Sequence, residues 1–192
     1  ILCYEYYRNT FNRNSINGSG GTINVVVNVP EEGHAMDNAY WSGSSMYWGN
    51  GMDYFSPLAK SLDVAAHEMT HGVVQETAGL VYQGESGALN ESFADIFGVM
   101  IDRDDWAIGD GIMLPGVSET GFLRDFVDPH NGNGDWYQPS HYSERATGSS
   151  DNGGVHANSG ITNHAFYLFA TNPAIGLETA EQVYYYVLRD RL

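Results

Sequence analysis

The sequence predicts an α+β fold, because strand-forming and helix-forming segments occupy different parts of the chain. Valine-rich alternation over residues 22–29, ended by Pro30, predicts a strand. The Gly-, Ser-, Asn- and aromatic-rich stretch over residues 31–57 predicts further short strands and loops. Beyond this stretch, apolar residues recur at the spacing of helices. A strand-and-loop first third is therefore followed by a helical remainder.

Helices are predicted wherever apolar residues recur at helical spacing between turn or capping residues. Ser61 or Asp63 lies near the start of one of them, and Gly79 follows its end. Their predicted ranges are residues 1–12, 63–75, 88–101, 158–170 and 179–188, with a long Gly-, Pro- and Asp-rich loop over about residues 103–155.

The composition excludes some classes of function. Of the 192 residues, 8 are basic and 24 are acidic, which leaves a formal charge of −16 at pH 7. Nucleic acids and anionic membranes are bound by basic surfaces, so neither partner is expected, and no apolar run approaches the length of a membrane span. The acidic groups either keep the surface solvated or bind calcium through oxygen ligands. The one cysteine, Cys3, excludes an intrachain disulfide and a cysteine-based zinc site.

The strongest motif is residues 67–71, His-Glu-Met-Thr-His, which lies inside a predicted helix. A spacing of four places His67 and His71 one turn apart on one face, where both imidazoles can bind the same cation. Glu68 projects beside that cation, where it can accept a proton from water at the metal. An ordinary pair of helical histidines is the alternative interpretation of this short pattern.

A third ligand is offered by the next predicted helix. Glu91 and Asp95 are four residues apart, so one carboxylate can bind zinc while the other accepts the free N–H of a ligating histidine. Asn90, next to Glu91, is a second candidate to support a ligand in this way. A solvated acidic pair is the alternative. Two histidines, one glutamate and an open fourth position are typical of a catalytic zinc site.

With these residues the chain resembles the thermolysin-like (gluzincin) zinc metallopeptidases. The resemblance runs from Tyr4 to about Leu188 and includes residues 37–41 (DNAYW), 78–82 (AGLVY) and 151–156 (DNGGVH). It implies a two-lobed endopeptidase core with the zinc helix at the floor of the cleft.

We expect a strand-rich lobe at residues 1–62 and a helical lobe at residues 63–192. The family normally has a β-rich segment before this region and further helices after it. We therefore expect a processed or truncated core, in which residues 184–188 are an exposed apolar surface. The opening residues do not have the pattern expected of a signal peptide, and export as a precursor is implied only by the resemblance.

The resemblance also implies roles for residues that the motifs alone would leave undecided. His156 is expected to stabilise the oxyanion, with Tyr82 assisting and Asp151 orienting the imidazole. Asn38 and the backbone of Ala39 are expected to pair with an extended peptide substrate. Arg124 matches an arginine that binds a substrate carbonyl. Phe55, Leu58, Val64 and Leu123 match an apolar pocket for a large hydrophobic residue after the scissile bond, although ordinary core packing is the alternative for these four.

Calcium is the second expected metal. Asp63, Asp102, Asp105 and Asp110 match calcium-binding carboxylates of the family, and their clustering would be repulsive without a cation. Ala107 stands where a two-calcium relative has an acidic side chain, so one calcium ion is expected rather than two. An acidic solvated loop is the alternative.

The sequence thus predicts a secreted, monomeric, zinc-dependent neutral endopeptidase that acts on peptides. One rival is a zinc exopeptidase, which would need a group that captures a free terminus, and no motif here suggests one. The other is a calcium-stabilised acidic binding module with a vestigial zinc site. Glu68 and His156 argue against that module, because binding alone would need neither.

Overall fold

The computed structural model describes residues 1–132 and 136–192. Its first segment is helix α1 (Leu2–Phe11), in agreement with the predicted helix. Five short strands follow: β1 (Val25–Val26), β2 (Pro30–Glu31), β3 (His34–Ala35), β4 (Ala39–Trp41) and β5 (Met46–Trp48). They form a three-stranded sheet of order β1-β5-β4, with β1 parallel and β4 antiparallel to β5, and a β2–β3 hairpin.

The strand predicted over residues 22–29 is much shorter in the structure. Only Val25 and Val26 pair, opposite Met46 and Tyr47 of β5. β1 is an edge strand with β5 as its single neighbour. Val25 and Val27 are about half exposed, which explains why their alternation does not mark a buried face.

Two helices form the centre of the molecule. α2 (Leu62–Gln75) begins where Ser61 caps it by accepting a hydrogen bond from the Val64 amide, at 3.3 Å. α3 (Gly84–Ile101) begins four residues before the predicted start. Glycine disfavours helix in isolation, but a Cβ at Gly87 would lie 2.4 Å from Val155 Cγ1. Tertiary packing therefore selects glycine here and overrides its low helix propensity.

The last two helices also extend beyond their predicted limits. α4 (Asp151–Ala170) starts seven residues early, and its opening residues Asn152, Gly153 and Gly154 have left-handed rather than helical dihedrals. α5 is Leu177–Asp190. The loop predicted between α3 and α4 contains an antiparallel pair of two-residue strands, β6 (Ala107–Ile108) and β7 (Arg124–Asp125).

The expectation that residues 184–188 are exposed is wrong for part of this segment. Tyr185 is 5 % exposed and stacks on Phe11 of α1 with ring centroids 3.9 Å apart, and Leu188 is fully buried. Their burial follows from the amphipathic pattern of α5, which packs one face on α3 and α4, with Tyr185 against Phe11 of α1, and leaves Tyr186 in solvent. No helix in the described part of the chain is long and apolar enough to cross a membrane. The division into two lobes at residue 62 stays a prediction.

Candidate active site

Helix α2 presents both motif histidines to one point. The Nε2 atoms of His67 and His71 lie 2.9 Å apart, as expected for imidazoles one helical turn apart. Both side chains are largely buried, at 7 % and 11 % exposure. Two nitrogen acceptors at this distance need a proton or a cation between them.

Glu91 of α3 completes the group. Its Oε2 lies 3.5 Å from His67 Nε2, and its Oε1 lies 3.3 Å from His71 Nε2. The ligand atoms of these three side chains all lie within 4.8 Å of one another, which is close enough to hold a metal ion. Among the described residues, this is the group of histidine, cysteine or acidic side chains that meets this condition. The α2–α3 packing therefore creates a metal-binding geometry.

This geometry fits zinc. Tetrahedral ligands at the usual zinc distance of about 2.0–2.1 Å lie roughly 3.3 Å from one another, and the observed separations bracket that value. Glu91 Oε2 is buried without a hydrogen-bond partner in the described chain, as expected for an atom that binds a cation. His67, His71 and Glu91 would hold the ion.

The charges of these groups are strongly coupled. Burial alone would lower the pKa of His71, but the Glu91 carboxylate outweighs it and raises that pKa to about 9. Burial alone would raise the pKa of Glu91, whereas the charge of His71 holds it well below its ordinary value. Glu91 is therefore ionised, the state in which a carboxylate binds metal.

Each histidine ring is oriented by a polar side chain that contacts its Nδ1 atom, on the side of the ring away from the metal-binding Nε2. His71 Nδ1 lies 2.7 Å from Asn90 Oδ1, so the amide oxygen accepts a hydrogen bond from the Nδ1–H group. His67 Nδ1 lies 2.8 Å from Asp95 Oδ1, an ion-pair distance whose angle departs from that of an ideal hydrogen bond. Both contacts place the proton on Nδ1 and leave Nε2 free for a metal. The structure thus places Asn90 and Asp95 where the sequence analysis expected supporting groups.

Asp95 also accepts a hydrogen bond from the buried Arg124, whose Nη2 lies 2.6 Å from Asp95 Oδ1. Burial would raise the pKa of Asp95, but the Arg124 charge and the His67 contact hold it below its ordinary value. Arg124, which was expected to bind a substrate carbonyl, therefore contacts Asp95, and Asp95 in turn contacts His67. Arg124 also lines a small pocket beside the cleft.

Glu68 lies in the floor of the cleft. It is 5 % exposed, and its Oε2 is buried with no hydrogen-bond partner among the described residues. A buried carboxylate oxygen without a partner is unfavourable unless a ligand or water supplies one. Since Glu68 follows His67 and lines both cavities at this point, the open oxygen is available to a reactant.

Tyr82, His156 and Asp151 form the opposite wall. The Tyr82 hydroxyl donates to Glu91 Oε1 at 2.5 Å and lies 3.2 Å from His156 Nε2. Asp151 accepts hydrogen bonds from the His156 ring at Nδ1, at 2.6 Å, and from its backbone N–H, at 2.8 Å. The sequence-predicted trio is thus brought together beside the metal ligands.

The backbone before His156 makes this contact possible. Asp151 and Asn152 have φ of 52° and 49°, and Gly153 and Gly154 have φ of 88° and 80°. A run of left-handed residues turns the chain so that the Asp151 carboxylate faces the first turn of the helix. The two glycines adopt this conformation without the steric cost of a side chain.

A cleft of about 410 Å³ joins these groups and includes β4, which begins at Ala39 directly after Asn38. It is lined by Asn38, Ala39, Tyr40, Trp41, His67, Glu68, His71, Gln75, Gly79, Leu80, Tyr82, Asn90, Glu91 and His156. A smaller cavity of about 80 Å³ shares Asn38, Ala39, His67, Glu68 and His156 with the cleft and opens beside them.

Part of the wall of the smaller cavity is apolar. The four predicted pocket residues, Phe55, Leu58, Val64 and Leu123, all line it. Ile108 and Ile112 line it as well, and the sequence analysis did not identify them. Their signal was weak, because two isoleucines in an acidic, Gly-rich loop show no periodicity.

Asp37 is another residue that the sequence analysis did not select for a role. Its carboxylate accepts four backbone hydrogen bonds, at 2.7–3.1 Å, from the amides of residues 52–55. This fixes the loop whose last residue, Phe55, enters the apolar cavity. An acidic residue in a chain this acidic has no sequence feature that reveals such a contact.

The four aspartates expected to bind calcium lie around one end of α2 and α3. Asp63 is buried, Asp102 caps α3, and Asp105 and Asp110 are exposed. Burial raises the pKa of Asp63 to about 6, against hydrogen bonds from the Gly109 and Val64 amides and together with repulsion from Asp110 and Asp102. In the described residues their oxygens do not converge as closely as the zinc-type group does.

Two histidines and a glutamate lie beside a partnerless glutamate in this cleft, an arrangement typical of catalytic rather than structural zinc sites. The protein family described as "Thermolysin metallopeptidase, catalytic domain" matches residues 2–75. The family described as "Thermolysin metallopeptidase, alpha-helical domain" matches residues 78–192. The chain therefore belongs to the thermolysin metallopeptidase family, and it contains the α+β core expected from the sequence.

Relatives of known sequence and structure agree with this assignment. Bacillolysin of Brevibacillus brevis is 49% identical over 194 residues, and Neutral protease B of Bacillus subtilis (strain 168) is 47% identical over 195 residues; each match covers 96% of this chain. The precursor of protealysin, a metalloproteinase from Serratia proteamaculans, superposes with a TM-score of 0.88 at 35% identity over 99% of this chain. The chain spans 35% of the length of the two curated relatives and 63% of the protealysin precursor chain.

The metal geometry leads to a direct prediction. The purified chain should bind one zinc ion, and His71→Ala should abolish stoichiometric binding because it removes one of three ligands. His164→Ala is the control, since that histidine contacts the Phe126 carbonyl instead. Elemental analysis after dialysis measures both. Equal zinc content in the His71 variant and the parent protein would contradict the ligand assignment.

Proposed function

We propose that this chain is the catalytic core of a zinc-dependent endopeptidase. The observation that carries the proposal is the partnerless, buried carboxylate oxygen of Glu68 beside the His67–His71–Glu91 group, in a cleft of about 410 Å³. A metal centre that only stabilised the fold would be closed by a fourth ligand and would not need such a carboxylate.

Zinc, when bound, supplies a Lewis acid that polarises the substrate carbonyl and makes water more acidic. Glu68 then acts as general base: it accepts a proton from the attacking water and passes it to the leaving amine. Its burial beside the metal ligands supports this role, because the carboxylate reaches the cleft without being solvated by bulk water.

Charge that develops on the carbonyl oxygen needs donors on the far side of the cleft. We assign this role to His156 with Tyr82, whose polar atoms lie 3.2 Å apart and face the metal group. Asp151 holds the imidazole with its proton on Nδ1 and stabilises it when it is charged.

The substrate is proposed to bind as an extended strand. β4 is an edge strand of the sheet order β1-β5-β4, and its residues Ala39–Trp41 together with Asn38 line the cleft. An unpaired strand edge offers backbone groups to a peptide in this geometry. Arg124, beside the smaller cavity, would contact a substrate carbonyl there.

Two rivals are separated from this proposal by simple assays. An internally quenched peptide with both ends blocked is cleaved by an endopeptidase but not by an obligate exopeptidase. A binding module with a vestigial centre would bind zinc and cleave nothing. Cleavage that stops when a zinc chelator is added and resumes when zinc is restored supports the proposal, and absence of cleavage by the zinc-loaded protein opposes it.

The general-base assignment predicts a specific loss. Glu68→Gln should retain zinc, since Glu68 is not a ligand, and should lose about 10²–10⁴-fold in kcat because the amide cannot accept the proton. Glu76→Gln, at the exposed end of the same helix, is the matched control and should keep full activity. Turnover of the Glu68 variant near that of the parent protein would refute the role.

The apolar cavity supports a preference for a large hydrophobic residue after the scissile bond. Burial of a leucine side chain contributes about 1.5–3 kcal/mol, so a peptide with Leu there should exceed the Ala peptide roughly 10–100-fold in kcat/KM. Leu123→Ala should reduce this ratio, whereas Leu168→Ala, whose side chain is in solvent, should not. Equal cleavage of Leu and Asp peptides would rule out the pocket.

We propose that one calcium ion is bound by Asp63, Asp102, Asp105 and Asp110. Burial, and after it repulsion from neighbouring carboxylates, raises the pKa of Asp63, Asp102 and Asp110, and this supports a cation among them. Calcium at about 100 times its Kd should then raise the thermal midpoint by roughly 5–10 °C. Asp63→Asn should lose this response and Asp53→Asn should keep it. An unchanged midpoint in the parent protein would argue against the site.

Export of the enzyme and a monomeric state are also proposed, on the family resemblance. Activity in the culture medium compared with the cell extract tests the first. Analytical ultracentrifugation of the purified chain tests the second.

A further inference from the structure

Asn163 of α4 occupies an unusual position behind the metal group. It is fully buried, and its Nδ2 donates to Asp95 Oδ2 at 2.8 Å. The other oxygen of Asp95 is the one that contacts His67 Nδ1 and Arg124 Nη2. The two oxygens of one carboxylate are thus engaged by three side chains from α2, β7 and α4.

The orientation of the Asn163 amide is set by Asp95. An ionised carboxylate accepts hydrogen bonds only, so the amide must turn its nitrogen toward it. The amide oxygen is then buried without a hydrogen-bond partner among the described residues. A buried carbonyl oxygen without a partner is unfavourable, so the hydrogen bond to Asp95 outweighs the lost hydrogen bond of the Asn163 oxygen.

The position of Asn163 on α4 adds a second relation. His156 and Asn163 are seven residues apart, close to two full helical turns, and therefore lie on the same side of the helix. One end of this side carries the proposed oxyanion donor, and the other end contacts the carboxylate behind a zinc ligand. α4 is in this way connected to both faces of the centre.

We propose that Asn163 is a positioning residue for the metal centre: together with Arg124 it fixes the Asp95 carboxylate so that Asp95 holds His67 in its metal-binding orientation. Arg124 alone contacts one carboxylate oxygen, which leaves rotation about the side-chain bonds of Asp95 open. The second contact, on the other oxygen, removes that freedom. This inference concerns zinc binding and does not require the proposed peptidase activity.

Zinc affinity of the metal-free protein, measured by competition with a chromophoric chelator, tests the inference. Partners that orient ligating histidines typically contribute 10–100-fold to metal affinity, and we expect Asn163→Ala to weaken zinc binding about tenfold. Asn158→Ala is the matched control: Asn158 is a buried asparagine on the same helix, but its amide bonds to the Ala146 backbone. It should lower the thermal midpoint by a similar amount and leave zinc affinity within twofold.

A double-mutant cycle separates positioning from general destabilisation. In the Asp95→Asn background, removal of Asn163 should change zinc affinity less than twofold, because its target carboxylate is gone. If Asn163→Ala is too unstable to purify, Asn163→Ser is judged by the same criteria. Parent-like zinc affinity in the Asn163 variant, an equal loss in Asn158→Ala, or a full loss in the Asp95→Asn background would each overturn the proposal.

Discussion

The packing of α2 on α3 buries several ionisable side chains, and each is stable at this depth because another polar or charged group contacts it. His67 and His71 face Glu91, and Asp95 lies behind His67 with Arg124 against it. An isolated charge would be costly at this depth, so each group needs an opposite charge, a hydrogen bond or a metal ion. The rest of the structure is arranged around this interface: β4 borders the cleft above it, and α4 closes it from the side.

Close approach of α4 to this interface depends on residues without side chains. Gly87 admits Val155 to α3, and Gly153 and Gly154 adopt the left-handed turn that directs His156 into the cleft. These positions carry no chemistry of their own. They set the distance at which His156, Tyr82 and Glu91 meet, and therefore decide whether the groups on different helices act as one centre.

Unsatisfied buried polar atoms gather around the same centre. In the described part of the chain they include atoms of Glu68, Glu91, Arg124 and Asn163. Folded proteins pair nearly all such atoms, and exceptions commonly occur where a ligand or reactant supplies the partner. The hydrophobic core, which includes Tyr185 with Phe11 packed against it, supplies the stability that offsets these missing hydrogen bonds.

The sequence by itself determined that His67 and His71 lie together on one face of α2, because helical geometry relates residues i and i+4 regardless of the rest of the fold. It also determined the positions of most helices, since their apolar spacing and capping residues are local features. The early start of α3 and the two-residue extent of β1 were decided by tertiary packing, which overrides local propensity. The contacts of Asp37, Ile108 and Asn163 join segments far apart in the chain, and no periodicity or spacing in the sequence encodes which distant backbone or side chain they meet.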